Sequence, residues 1–311
     1  MPHVDGLPRT LMTLGFEAVA VEELAGDASH RRFFRVALAG GGTAVAAVYP
    51  AEVPGQEEQA ARDHAVQAWG WERGLPIPRP LGLAGLVTVS EDLGSDDLDR
   101  AAARLGAAVL APCIEALAAF QRCRYDDLPT PPFDAAFFRR ELAVFEEHAL
   151  TAPVRGDHHV GEFLDGLAAR VAAHPYRLVH RDFHFNNLFL CGGAVRAVDF
   201  QDMRGGPDTY DLASLLRERG GAAMGAEEAG WVERAAGVLA WPDGWRLRYR
   251  ECAAQRGLKV VGTFLRLSAL GRHGYGAWLP EVRRRAVQAL SELEAPAVLR
   301  AAVGRPGPEG L

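Results

Sequence analysis

The sequence predicts an α+β protein of two lobes, a small β-rich one over residues 1–92 and a larger helical one over 93–303. Three observations predict it. Short β-prone runs joined by a glycine turn crowd the first ninety-odd residues. Ala- and Leu-rich stretches with helical periodicity fill most of the remaining chain. A second hairpin pattern interrupts those helices near residue 190. At 311 residues the chain can bury the core that such a pair of lobes needs.

Taken in order, Phe33 to Leu38 and Thr43 to Tyr49 are strands joined by Gly40-Gly41-Gly42. A helix from Glu57 to Arg73 comes next, closed by Gly74 and the prolines at 76, 78 and 80. Leu86 to Val89 is a further strand and leads into the polar segment Ser90 to Ser95, a candidate hinge. Leu98 to Cys123 reads as one Ala/Leu-rich helix. Asp134 is an N-cap for a helix over Ala135 to Ala149, and Glu162 to Ala173 is another helix. Short apolar runs then replace the helical period at Arg177 to Val179, Leu188 to Cys191 and Val195 to Val198, the last two joined by Gly192-Gly193. Tyr210 to Arg219, Glu227 to Leu239, Trp245 to Leu270 and Glu281 to Leu293 are helices. The Gly/Pro-rich end, 304–311, reads as a disordered tail.

Hydrophobic residues make up 49% and charged residues 24% of the chain, the balance of a soluble globular protein. The net charge of -6 argues against nucleic acid or an anionic membrane as a partner. The four cysteines, Cys113, Cys123, Cys191 and Cys252, are widely spaced with no CxxC pair, which suits free thiols in a reducing compartment. The first residues lack an apolar core of signal-peptide length, and Leu105 to Phe120, interrupted by Glu115, fits a buried helix better than a membrane span. A cytoplasmic location is expected. Lys259 is the single lysine, so a mechanism that needs one has one candidate.

The stretch LVHRDFHFNNLFLCGGAVRAVDF carries the chemistry. Asp182 is placed to receive or orient the proton of an attacking hydroxyl. Asn187, five residues on, and Asp199, twelve beyond that, are oxygen ligands for Mg²⁺ shared with nucleotide phosphates. The predicted hairpin returns both ligands to one edge, which is the economy of a phosphoryl-transfer site. The plainer alternative has Asp182 and Asn187 capping turns and Asp199 sitting at a surface turn; it leaves their common edge unexplained. His180 is expected to pack under the loop and donate a hydrogen bond. His184 is expected to touch substrate or to shape the loop. Zinc on His180, His184 and Asp182 is allowed by spacing, but neither a cysteine nor a third histidine sits nearby.

HRDFHFNN and VDFQDMRGGPDTYDLASLLRE resemble the aminoglycoside-phosphotransferase and choline-kinase family. Gly26 to Val36, Glu91 to Gly94, Phe138 to Leu142 and Gln255 to Phe264 extend the resemblance, which leans towards the bacterial kinases of N-acetylmuramic acid and N-acetylglucosamine in cell-wall recycling. The resemblance implies a protein-kinase-like bilobal fold and an enzyme that uses ATP and Mg²⁺ to phosphorylate the anomeric hydroxyl of a small sugar. It further implies that Ala28, Ser29, His30, Arg31 and Arg32 belong to a loop covering the nucleotide, with the backbone of Glu91, Asp92 and Leu93 holding adenine. Asp211 would brace the catalytic loop. The substrate candidates are His184, Gln201, Asp202 and Arg217, with Lys259 as an outlier.

Two departures from the kinase pattern stand out. The strand from Thr43 to Tyr49 lacks the lysine that pairs phosphates, leaving Arg31, Arg32 or Arg35 to supplement the metal. Gln201, not glycine, comes after Asp199-Phe200, and the short run to Tyr210 leaves little room for an activation segment. Between 241 and 300 eleven basic residues face five acids, a balance that disfavours a polycationic aminoglycoside if this region lines the acceptor site. Choline would require an aromatic cage. Aminoglycoside and choline-type acceptors, and an inactive kinase-like scaffold, are the alternatives to the sugar kinase.

Overall fold

The computed structural model describes residues 6–24, 30–218, 220 and 227–305. It divides into two compact units: Met1–Asp96 with Phe189–Asp202, and Asp97–Leu188 with Met203–Leu311.

The first unit is built on five antiparallel strands in the order β1-β2-β3-β5-β4. They are β1 (Ala18–Leu24), β2 (Arg32–Leu38), β3 (Thr43–Val48), β4 (Pro80–Ala84) and β5 (Val87–Glu91). Alternation along β2 and β3 turns Phe34, Val36, Ala44, Ala46 and Val48 to one face. There they meet Val87, Val89 and the helix α1 (Leu7–Thr13) through Leu7 and Leu11. The opposite face presents Ala47 and Tyr49 to Ala60 of α2 (Gln56–Glu72). Glu57 and Glu58 on α2 are exposed. The edge strand β1 was not legible in the sequence, because its central residues are all exposed and none of its apolar positions alternates with a buried face.

The sequence expectation placed everything from 93 to 303 in the second lobe. Phe189–Asp202 packs instead with the first unit. Arg196 explains why: it pairs with Glu91 at 2.6 Å and donates to the Ile77 carbonyl at 2.5 Å. Backbone bonds from Ala197 to Pro76 and from Leu190 to Asp96 complete the attachment.

The second unit is mostly helical. The predicted single helix over Leu98 to Cys123 is broken into α3 (Leu98–Leu105), a 3-10 turn at Gly106–Val109 and α4 (Leu110–Arg122). Gly106, at φ 58 and ψ -143, adopts a conformation closed to other residues and stops α3. The run Leu98–Arg122 is long and apolar enough by composition to cross a membrane, but α4 buries Leu110, Ile114, Leu117 and Phe120 within the protein. Asp134 caps α5 (Ala135–Ala149) by accepting from the Phe137 N–H at 2.6 Å. After the short α6 (Ala152–Arg155) come α7 (His158–Ala172), capped by Asp157, and β6 (Tyr176–Val179).

The hairpin β7 (Leu188–Cys191) and β8 (Ala194–Ala197) forms where the sequence places it, turning at Gly192 and Gly193, both with positive φ. The unpredicted strand β9 (Arg204–Pro207) pairs antiparallel with β6. Its Arg-Gly-Gly-Pro sequence has no β-propensity. Its glycines answer a packing demand, since a Cβ at Gly206 would lie 2.7 Å from both Phe133 and Val179 side chains. Because β9 fills the interval before α8 (Tyr210–Arg217), little chain remains for an activation segment.

The helices α9 (Glu228–Leu239), α10 (Trp245–Ala269), α11 (Leu279–Glu292) and α12 (Ala297–Gly304) complete the unit. Gly304 closes α12, so the expected tail begins later than the sequence suggests, and 306–311 lie outside the described residues. The helix α10 is the spine: Gly262 lets it approach α5 so closely that a Cβ there would lie 2.5 Å from the Phe145 Cα. None of Cys113, Cys123, Cys191 and Cys252 forms a disulfide, and the first and last are buried.

Buried Glu251 on α10 accepts from Arg170 at 2.6 Å and shares a bond with His174 at 2.8 Å. Burial would raise its pKa, but those two partners outweigh it and hold the carboxyl below its ordinary value. A carboxylate depressed in this way stabilises the fold above its unfolded-state pKa, and the contribution is lost as pH falls through the folded-state value. Glu251→Gln is therefore expected to cost about 1–3 kcal/mol at pH 7. The gap in denaturant midpoint should close as pH drops below about 4; a gap that does not change with pH would rule out the charge as its source.

Candidate active site

In the second unit the segment after β6 is a tight loop. Asp211, at the start of α8 and fully buried, accepts from the backbone N–H groups of His180 at 2.6 Å and Arg181 at 3.0 Å. Burial pushes its pKa up to about 7 against those two bonds and the Arg256 charge. Held this way, Arg181 takes φ 82, a left-handed backbone that non-glycine residues adopt mainly where the surroundings enforce it. The His180 ring is buried edge-on to Phe120 and Phe183, at 5.6 and 5.9 Å, so its place is in the packing beneath the loop. Among the described residues no group of three His, Cys, Asp or Glu could hold a metal ion.

Asp182 comes next with its side chain 26% exposed. Its backbone carbonyl accepts from the His184 N–H at 3.0 Å and from the Asn187 side-chain amide at 2.9 Å. The N–H side of the Asn187 amide is thus used locally, and its oxygen is the group it can offer a cation. Lys259, the single lysine, reaches Asp182 from α10 at 3.3 Å, and the Arg256 guanidinium lies 3.7 Å away. Burial would raise the Asp182 pKa, but Lys259, Arg181 and Arg256 hold it well below the carboxylate range. The carboxylate is therefore ionised at neutral pH and can accept a hydroxyl proton's hydrogen bond.

Arg256 is 1% exposed. It bonds Glu218 at 2.6 Å and the Arg181 carbonyl at 2.6 Å, and stacks on the Tyr210 ring at 4.3 Å. Glu141 of α5 stands 3.8 Å from Lys259 and 3.7 Å from Arg181. Sequence reasoning missed Arg256 and Glu141 as site residues. The uniqueness of Lys259 was the available signal for that residue, and only the fold brings α5 and α10 to the loop.

In the first unit, Asp199 has φ 63 and a side chain 40% exposed. One oxygen accepts from Arg31 at 3.0 Å and from Gln201 at 2.8 Å. Arg31 also reaches Asp63 on α2 at 3.1 Å. Of the other arginine candidates, Arg32 pairs with Glu23 on the exposed β1–β2 surface, and Arg35 pairs with Asp92 at 2.6 Å. Arg32 thus carries its charge at the sheet edge, paired across it. The Glu91 and Asp92 side chains are likewise paired, with Arg196 and Arg35. The Leu93 carbonyl faces the Cys191 thiol at 3.6 Å. His30 is exposed; Ala28 and Ser29 lie outside the described residues.

The Arg217 side chain bonds Glu228 at 2.7 Å and lies over the Tyr249 ring at 5.6 Å. Part of the positive excess over 241–300 is paired as well. Arg246 pairs with Glu233, Arg248 with Asp208, Arg284 and Arg285 with Glu281. Only Arg256 and Lys259 of that set pair with Asp182 among the described residues. Asp202 ends the short 3-10 turn after Asp199.

The sequence pattern of the phosphotransferase enzyme family matches residues 20–249. An N-acetylmuramate/N-acetylglucosamine kinase of Pseudomonas putida is 30% identical over 289 residues, covering 83% of this chain and 79% of that protein. A protein of the same description from Pseudomonas aeruginosa is 28% identical over 307 residues, covering 89% and 86%. A choline/ethanolamine kinase family protein from Mesorhizobium loti has the same fold, with a TM-score of 0.64 at 19% identity over 96% of this chain and 97% of that one.

Proposed function

Since the chain belongs to the phosphotransferase enzyme family, we propose that it is an ATP- and Mg²⁺-dependent kinase of small amino sugars. It transfers the γ-phosphoryl group to the anomeric hydroxyl of N-acetylmuramic acid, N-acetylglucosamine or both, giving the sugar 1-phosphate. The observation that carries the reading is the Asp182 carboxylate, on a loop pinned by Asp211 and flanked by Lys259. Phosphoryl transfer through a loose transition state needs an oriented hydroxyl more than a strong base. A carboxylate held in its charged form supplies that orientation, and takes up the proton once the new P–O bond has made the hydroxyl acidic.

Asn187 and Asp199 would supply oxygen ligands to Mg²⁺, whose preference for hard oxygen donors they meet. When bound, the ion would neutralise phosphate charge. The choice of acceptor is supported by the two Pseudomonas kinases, which resemble this chain over most of its length.

A coupled assay of ADP release with N-acetylmuramic acid, N-acetylglucosamine, kanamycin and choline tests the assignment. Turnover is expected with one or both sugars. Turnover with kanamycin alone, or with choline alone, would replace the sugar by that acceptor class.

A further inference from the structure

The strand β3 (Thr43–Val48) carries no lysine, yet phosphates in kinase-like enzymes are ordinarily held by a strand lysine paired with a helix glutamate. We infer that Arg31, held by Asp63 of α2, is the cation that binds the nucleotide's terminal phosphates in this protein. The inference rests on the kinase reading.

The geometry singles out this pair. Asp63 is 6% exposed, and a buried carboxylate is costly unless its oxygens are satisfied. Three side chains satisfy it. Tyr49, at the end of β3, donates at 2.7 Å; Gln59, one turn earlier on α2, donates at 2.5 Å; and Arg31 donates at 3.1 Å. Tyr49 is itself buried. The Arg31 guanidinium lies 5.4 Å from the Phe33 ring centre and 5.8 Å from that of Tyr49, within cation–π range of both. One terminal nitrogen is committed to Asp63. The other reaches Asp199, the carboxylate proposed to handle the metal.

Apolar replacement of a buried ion pair is often neutral or stabilising, so such a cluster is weak evidence of a purely structural role. Presentation of a fixed positive charge accounts for it. A planar fork can be anchored by one amino group while the other meets an anion; an ammonium cannot divide its contacts in that way. Arg32 and Arg35, the neighbouring candidates, pair with Glu23 and Asp92 instead. Asp63 is then a positioning residue that acts through Arg31.

The test is calorimetric titration of ATP, ADP and adenosine into the full-length protein, wild type and variants. Arg31→Met is expected to weaken ATP about 10–100-fold, on the scale of one or two lost charge-assisted bonds, and to leave adenosine within about twofold. Arg31→Lys should fall between. Asp63→Asn should weaken ATP severalfold, and should add nothing further in the Arg31→Met background, because a residue that acts through another is silent once that other is gone. Three results would overturn the inference: undiminished ATP affinity in Arg31→Met, a parallel loss for ATP and adenosine, or an Asp63→Asn penalty that persists without Arg31. Wild-type protein that binds no ATP would instead remove the kinase reading itself. Thermal unfolding of each variant identifies any that fail to fold, in which case Arg31→Lys, which keeps charge and bulk, decides.

Discussion

Asp182→Asn is expected to lower kcat with the sugar acceptor by about 10²–10⁴-fold, the usual range for a proton-handling side chain. The KM for ATP should stay within about twofold, because the loss is confined to the step in which the hydroxyl reacts. The substitution keeps shape and removes charge. Lys259 and Arg256, which now hold the carboxylate ionised, would face a neutral amide. The backbone carbonyl that receives His184 and Asn187 is untouched, so the loop should persist. Steady-state ADP release together with a thermal melt measures both. Near wild-type turnover would exclude Asp182 from proton handling and with it the mechanism.

The second large effect is expected at Arg256, a residue that need not touch either substrate. Arg256→Met removes the partner of Glu218 and leaves that carboxylate buried and uncompensated, which typically costs about 3–5 kcal/mol. It also strips the Arg181 carbonyl of its donor, at the one position of the loop that has a left-handed backbone. Stability and kcat should therefore fall together. Glu218→Gln with Arg256→Met should recover part of the stability by removing the stranded charge, without recovering kcat. A single variant within about 1 kcal/mol of wild type would mean that the buried pair adds little to this fold, as some buried pairs do.

Much of the site's outline was legible because the chemistry is local in sequence. Asp182, Asn187 and the β7–β8 hairpin lie within sixteen residues (182–197), and their spacing comes from two short strands and a glycine turn. The helix starting after Asp134 was legible for the same reason: a cap and its period are nearest-neighbour properties. The features that were missed answer to partners far along the chain. β9 is a strand because β6 is there to pair with it and because its glycines fit against Phe133 and Val179. β1 is a strand because β2 offers it an edge. The break at Gly106 was concealed by an Ala/Leu composition that suits a helix on either side.

Charge was the most misleading signal read one-dimensionally. The basic excess of the last third suggested an anion-friendly acceptor region, but part of it pairs with nearby acids: Arg246 with Glu233, Arg248 with Asp208, and Arg284 and Arg285 with Glu281. Counting charges along a chain cannot reveal such pairing, since an Arg side chain spans roughly the distance between packed helices, which is about 8–10 Å. The same reach made Arg31, Arg32 and Arg35 indistinguishable in sequence. Their different partners, Asp63 with Asp199, Glu23, and Asp92, separate them.

The sequence by itself determined the α+β class, the order of most elements and the identity of Asp182, Asn187 and Asp199 as the candidate chemical groups. Each of these depends on spacing over a few residues, where backbone geometry leaves few alternatives. The tertiary structure alone decided which charges lie beside those groups. It brought Lys259 and Arg256 from α10 to Asp182, and placed Arg31 between Asp63 and Asp199. An electrostatic environment is set by what lies within a few ångströms in space, and residues as far apart in sequence as 182 and 259 meet only when helix packing brings them there.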